Sequence, residues 1–452
     1  MSIQRSLFEQ ILIESADRSR SVDITAGSVN IDYYEDVFSP TVTAKIRVIN
    51  TGNTVVSPKS KDAQKQSIYN GLPLRGGERV ALKIAGNSTT NPGLDFLTDN
   101  KDYLYVSSIS DAVIENNRES FTLHLVSREA ITNETTRVYG KYPTSLPIHE
   151  SASSIISNIL RTDKSITADK TSNTYGFIGN MRKPFTVLTW LASKGVPSVS
   201  ENQNSSINAQ GGTAGFFFYQ TVDGFQFRSI DLLNKQTKKA VYIYSEATES
   251  YDNEGKKVDN NFKILNYFVE RNQNLIEKMR LGTYSSQRIF FNPLTGQITP
   301  PGKDIFKRED YVSKVENLGE DEITLPKISD TSDETLGDLP TRIITGILDI
   351  GTMEVGASKD LNADPIEYQS QTIMRYNNMF TQTLNMMIPS NTNLRAGDII
   401  ECLFPKISRG PAREYDNDQS GLYMIKELCH HFDAQNSYTS LKLVRDTFGI
   451  KE

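Results

Sequence analysis

Four histidines, two cysteines and a scatter of acidic pairs are the residues in this sequence with the greatest chemical potential. His149-Glu150 opens the H-E-x-x-H pattern, in which two histidines one helical turn apart hold zinc and the glutamate acts as general base. Position 153 is a serine, so the second ligand is missing. Cys429, His430 and His431 are ligand types in one run, but residues 423–432 alternate as a strand does and so send neighbours to opposite faces. A packing cysteine and a surface histidine are the expectation there, with His124 in the middle of another strand. Asp416, Asp418, Ser420, Gly421 and Glu427 match a calcium-loop spacing. Such loops lie between helices, whereas 422–432 reads as a strand and Pro411 stands upstream, so a polar turn feeding a strand is expected instead.

Nucleophilic and phosphate chemistry find no better footing. The chain has no G-x-S-x-G elbow, no Walker loop and no G-x-G-x-x-G between strand and helix. The run from Gly211 to Gly215 reads as a flexible turn before a strand, without a helix N-terminus to hold phosphate. Glycosidase chemistry needs two carboxylates roughly 5 to 9.5 Å apart across a cleft. Glu309-Asp310 and the Asp416, Asp418 pair read as solvated turns. The expectation is a non-enzyme with no catalytic residue, no cofactor and no metal ligand.

The elements that would position such residues are mostly strands. Residues 43–49 place Ala44, Ile46 and Val48 on one face, and Asn50, Thr51 and Gly52 end the run as a turn; 79–84 and 121–126 behave alike. Helical spacing appears at Ala152, Ile155, Ile156 and Ile159, with Pro147 upstream, and again at Phe185, Leu188, Leu191 and Ala192 between Pro184 and Gly195. A hairpin follows, 216–219 and 225–230, reversed at Asp223-Gly224. Residues 316–338, rich in Asp and Glu, read as an exposed acidic connector, and 366–378 as a helix.

At 452 residues the chain is long enough for about three domains. Two cysteines exclude a disulfide framework and a four-thiolate zinc site. No run of ~18 apolar residues is available to span a bilayer. No secretory leader is read at Met1 to Gln10, so synthesis and assembly in the cytoplasm are expected. With 49 basic and 55 acidic side chains the net charge is −6, and the densest basic cluster, Lys235, Lys238 and Lys239, is too short to grip a phosphate track.

The most informative feature is an internal repeat. Leu74-Arg75-Gly76-Gly77-Glu78 before a strand matches Leu394-Arg395-Ala396-Gly397-Asp398 before another. Ser120 to Val126, then Arg128-Glu129, matches Ser437-Tyr438-Thr439, then Leu441 to Asp446, with one-residue gaps. The spacing between the two motifs changes only by a loop-sized step. Two antiparallel barrels of one design are the expectation, in a mainly β protein with α+β insertions.

The runs 391–404, 418–425 and 441–446 resemble the central baseplate hub proteins of contractile-tailed bacteriophages, T-even type and marine relatives. The two helices near 151–193 and the hairpin fall where that family has its intervening domain. The resemblance implies two tail-tube-like β-barrels per subunit and a homotrimer forming a pseudo-sixfold ring. Such a ring would join the tail tube protein to the central spike protein in the virion baseplate, touch other baseplate or wedge proteins, and let DNA pass without specific binding, with no membrane involved. The divisions it implies are 1–130 for the first barrel, 131–261 for the intervening α/β domain, 262–284 with 379–450 for the second barrel, and 285–378 for an insertion. Tyr267 to Glu270 and Met279 to Tyr284 are read as early strands of the second barrel. Two alternatives remain open: the spike or hub protein of a contractile secretion system, and a tail-associated glycan-binding or hydrolytic β-protein.

Overall fold

A computed structural model describes residues 4–50, 55–56, 65–115, 118–198, 212–245, 259–270, 274–302, 304–321, 324–349, 365–406 and 415–451. The protein is mainly β. In Thr43–Asn50 the alternation predicted from sequence is realised: Ala44, Ile46 and Val48 are buried while Lys45 and Arg47 point to solvent. The turn expected at 51–52 lies outside the described residues.

Two sets of strands follow the same plan. In the first, Ser28–Asp36, Thr43–Asn50, Arg118–Ser127, Leu104–Glu115 and Arg79–Ala85 are hydrogen-bonded in that order, antiparallel throughout. In the second, the order is Asn266–Glu270, Gln382–Pro389, Ser437–Arg445, Gly421–Asp433 and Ile399–Leu403, again antiparallel. The likeness extends to a β-bulge. Leu125 faces Val106 while His124 faces Ser108, leaving Ser107 unmatched; Leu443 faces Ile425 while Lys442 faces Glu427, leaving Lys426 unmatched. A bulge at one equivalent place in both sets is a specific feature of the design rather than of strands in general. Beyond this shared path the sets diverge: Arg79–Ala85 takes Phe8–Glu14 as an antiparallel neighbour, whereas Ile399–Leu403 takes Val241–Tyr244 as a parallel one.

No ladder among the described residues closes either set into a barrel. Instead Ser28–Asp36 spends its second edge on Gly421–Asp433, and this junction fuses both sets into one fifteen-stranded sheet. Sequence repetition revealed that the sets are alike, but gave no hint that a strand of one would pair with a strand of the other. The strand expected at 279–284 is also absent: Leu275–Arg280 is a short helix, whose Glu277 N–H is capped by Asn274 Oδ1 at 3.1 Å. Gln382–Pro389 takes the place in the second set that Thr43–Asn50 holds in the first.

Each set buries its own apolar face, around Ile31, Ile46, Leu82 and Leu123 in one and Leu384, Ile400, Tyr423 and Leu443 in the other. A third core belongs to the helical part. Ile148–Ser154 begins directly after Pro147 and continues into one wide turn, 155–159, closed by Leu160 N–H to the Ile155 carbonyl. Pro184–Ala192 buries Leu188 and Leu191 against the hairpin Phe216–Thr221 and Gly224–Ser229. The helix Pro365–Asn378 then leads into the second set. A fourth cluster, including Val37, Phe217, Leu318, Met379, Ile399 and Val444, draws on every part at once. Among the described residues no helix is long and apolar enough to cross a membrane.

Candidate functional site

The residues singled out for chemistry are dispersed, and among those described no three His, Cys, Asp or Glu side chains group as metal ligands would. His149 Nδ1 accepts from the Thr171 N–H at 3.0 Å. His430 and His431 do face opposite ways. His430 is buried rather than on the surface: Nδ1 lies 3.0 Å from Thr439 Oγ1, and burial lowers its pKa to about 3. His431 pairs with Asp32, the hydrogen bond that raises its pKa most. Cys402 is buried and Cys429 partly so. In the calcium-like stretch, Asp416 Oδ1 accepts the N–H groups of Asp418 and Gln419, and Ser420 Oγ is bonded to Phe404. Glu427 stands within the strand Gly421–Asp433. Glu309 and Asp310 are exposed on a short 3-10 turn.

What converges instead is a set of buried polar groups where the parts of the chain meet. Glu35, 1% exposed, lies on the inward side of Ser28–Asp36 beside Tyr33, as alternation requires. Its Oε1 accepts the Tyr33 hydroxyl at 3.0 Å and the Val222 N–H at 2.7 Å, and Oε2 accepts the Ala396 N–H at 3.0 Å. One carboxyl thus joins the first set, the hairpin turn and the repeat turn of the second set. Burial pushes its pKa up to about 7, against the pull of the Arg395 guanidinium and of those N–H donors. Arg395 itself reaches across to Asp223 at 2.9 Å.

The second convergence is centred on Arg375 of the Pro365–Asn378 helix. Its guanidinium meets Asp231 at 2.9 Å and Asp446 at 3.1 Å. Asp231 also accepts the N–H and hydroxyl of Thr213 at 2.7 and 2.9 Å and the Glu316 N–H at 3.2 Å. Asp446 accepts the Leu318 N–H at 2.9 Å and Asn234 Nδ2 at 3.1 Å. Two expectations change here. The part of the glycine run that is described is not a loose turn, because Thr213 and Ala214 are buried and anchored to Asp231 and Gln371. The acidic stretch is exposed at Asp330 and Asp333, but its opening residues 316–319 thread into the interior, where Leu318 is fully buried.

Sequence reading passed over both convergences. For Glu35 a signal existed, a carboxylate on the face that its alternation predicts to be apolar. Arg375, Asp231 and Asp446 carry no such signal, since each is unremarkable in its own element. A third contact unites the two sets directly: Thr392 Oγ1 donates to Asn91 Oδ1 at 3.1 Å and accepts the Gly93 N–H at 3.2 Å. The arrangement orients parts of the chain relative to one another.

No family model matches the sequence, and no curated protein matches it. Solved structures do match in fold. A tail protein from Neisseria meningitidis MC58 aligns over 97% of this chain and 96% of its own, with a TM-score of 0.51 and 9% identity. The 43 kDa tail protein of prophage MuSo2 from Shewanella oneidensis aligns over 98% of this chain and 100% of its own, with a TM-score of 0.50 and 9% identity. The chain therefore has the fold of these tail proteins, end to end.

Proposed function

We propose that the protein is a structural subunit of a phage tail baseplate, a hub in which three copies form a pseudo-sixfold ring between the tail tube and the central spike. The observation that carries this reading is the repetition of one ladder order and one bulge within a single chain whose fold is that of tail proteins. Two equivalent modules per subunit let three chains present six similar positions, which suits a sixfold tube on one side and a threefold partner on the other. The buried junctions at Glu35 and Arg375 fit a part that must hold its modules at a fixed angle. The net charge of −6 suits a channel through which DNA passes without being held. The role is mechanical rather than catalytic, and the tail tube protein, the spike protein and other baseplate proteins are the partners it calls for. A hub in a contractile secretion system would use the same architecture, and the neighbouring genes distinguish the two machines.

Mass photometry of the purified full chain, followed by electron microscopy averaged without imposed symmetry, tests the proposal. Rings of three chains are expected; a monomer at micromolar concentration with no rings in the images overturns it.

A further inference from the structure

We infer that the helical part of the chain carries a docking pocket for a segment of another protein, one that presents a single apolar side chain flanked by carboxylates. The pocket lies outside both strand sets and does not depend on the ring.

It forms where the helix Pro184–Ala192 meets the antiparallel pair Lys141–Tyr142 and Phe177–Ile178. Phe177, Ile178, Asn180, Arg182, Val187 and Trp190 line it, and its volume is about 130 Å³. An apolar cavity of roughly 150 Å³ takes up benzene, so this space suits one leucine or phenylalanine side chain. The walls are already set. Phe177 stacks on Tyr142 with ring centroids 4.5 Å apart, and Trp190 meets Phe177 and Tyr175 edge-on at 5.5 and 5.2 Å. Behind the indole, Lys194 Nζ sits 4.9 Å from the ring of Trp190 and 4.4 Å from that of Tyr368. A guest therefore meets a surface whose aromatic side chains are held in advance, which lowers the entropic cost of binding.

The rim stores strain that the fold does not repay. Arg182 N–H donates to the Gly179 carbonyl at 3.1 Å, closing a turn whose two central residues, Asn180 and Met181, have φ of +50° and +56°. Positive φ at both central positions is the mark of a type I′ turn, which favours Asn-Gly. Asparagine stands where it is tolerated, but methionine takes the place that glycine prefers. Met181 is 63% exposed, so its own burial does not offset this conformation. Ile178 is 46% exposed and Tyr139, next to the Val138–Arg182 bridge, is 72% exposed. Strained backbone held in place beside a pocket, with apolar side chains turned to solvent around it, is the pattern of a contact site.

Charge selects the occupant. The exposed Arg182 has no carboxylate partner among the described residues, and Arg137 Nη1 donates only to the carbonyls of Glu134 and Thr136, at 2.9 and 2.7 Å. Glu134, the acid beside them, is taken by Lys183. Two guanidinium groups thus flank the apolar space with their charge uncompensated, and a carboxylate on either side of an apolar anchor complements them.

Trp190 is the only tryptophan in the sequence, so its emission reports on this pocket alone. The test titrates the full chain with the peptide acetyl-Gly-Asp-Phe-Glu-Gly-amide and with its counterpart bearing lysine at both acidic positions. A saturable shift in Trp190 emission is expected with the acidic peptide, and binding about tenfold weaker with the basic one. Arg182→Glu is expected to weaken the acidic peptide by a similar factor with unchanged circular dichroism. Met181→Gly is expected to melt at a higher temperature than the parent and to bind less tightly, since it relieves the turn and removes a rim contact. The absence of a saturable shift with the acidic peptide, equal binding of both peptides, or a Met181→Gly variant that melts below the parent overturns the proposal. An emission shift produced by raising the protein concentration alone and abolished by Arg182→Glu gives the pocket to a second copy and overturns the foreign partner. The hub reading is decided by ring formation and is untouched by any of these results.

Discussion

Arg375 and Asp231 meet at 2.9 Å with side chains 1% and 0% exposed, and Asp446, 2% exposed, takes another nitrogen of the same guanidinium at 3.1 Å. Three segments distant in sequence are locked by one cation. The helix that leads into Gln382–Pro389 supplies the arginine, the short helix after the hairpin supplies Asp231, and the strand Ser437–Arg445 runs out into Asp446.

Removing the cation from this site strands two buried carboxylates. Arg375→Met is expected to cost about 3–5 kcal/mol, the range for breaking a buried pair by deleting one partner. Urea denaturation followed by circular dichroism measures it. A loss below about 1 kcal/mol would show that the clamp does not hold the parts together.

Glu35 makes stability depend on pH in the direction opposite to most carboxylates. An unfolded glutamate titrates near 4.5 and the folded Glu35 near 7, so folding takes up a proton between those values. The contribution is fully present below about pH 4.5 and is lost as pH rises through about 7. Glu35→Gln is expected to flatten the melting temperature over this window. It also loses about 1 kcal/mol at pH 5, because the amide has a single accepting oxygen and its NH2 cannot accept from the N–H donors of both Val222 and Ala396. Parallel pH profiles for the two proteins would refute the assignment.

Gly77 and Gly397 occupy equivalent turns with φ of +90° and +89°, and each donates its N–H at 2.8 Å, to Val106 and to Ile425. Their surroundings differ. A Cβ on Gly77 would come no nearer than 4.0 Å to Ala16, whereas one on Gly397 would stand 2.3 Å from Tyr219 Oη. Gly77→Ala is therefore expected to cost about 1 kcal/mol from backbone strain alone. Gly397→Ala adds an overpacking cost of about 1–3 kcal/mol. Thermal melts of both variants compare them, and equal losses would contradict the packing around Tyr219.

Neither cysteine is poised to react. Burial pushes the Cys402 thiol well up, and burial, followed by the nearby Asp32 carboxylate, pushes Cys429 up to about 12. Since the thiolate is the reactive form, a maleimide at neutral pH is expected to label both slowly in the native protein and rapidly in denaturant. Mass spectrometry over time reads the result, and fast native labelling of Cys402 would show that its core opens readily.

Much of the local structure was legible in the chain. Alternation at 43–49 and 121–126 determined which side chains face a core, Pro184 and Gly195 bounded a helix, and the paired turns at 74–78 and 394–398 announced two similar strand sets. These signals act over a few residues, and the physics behind them is backbone geometry and the burial of one face.

Tertiary structure alone decided which strand lies beside which. Periodicity reports that Ser28–Asp36 has a buried face, but its edge hydrogen bonds are identical main-chain groups that any strand could satisfy. Pairing with Gly421–Asp433, the choice of helix rather than strand at Leu275–Arg280, and the meeting of Arg375 with Asp231 and Asp446 all arise from contacts between segments far apart in sequence. A carboxylate such as Glu35 acquires its elevated pKa only once three parts of the chain have closed around it and excluded water.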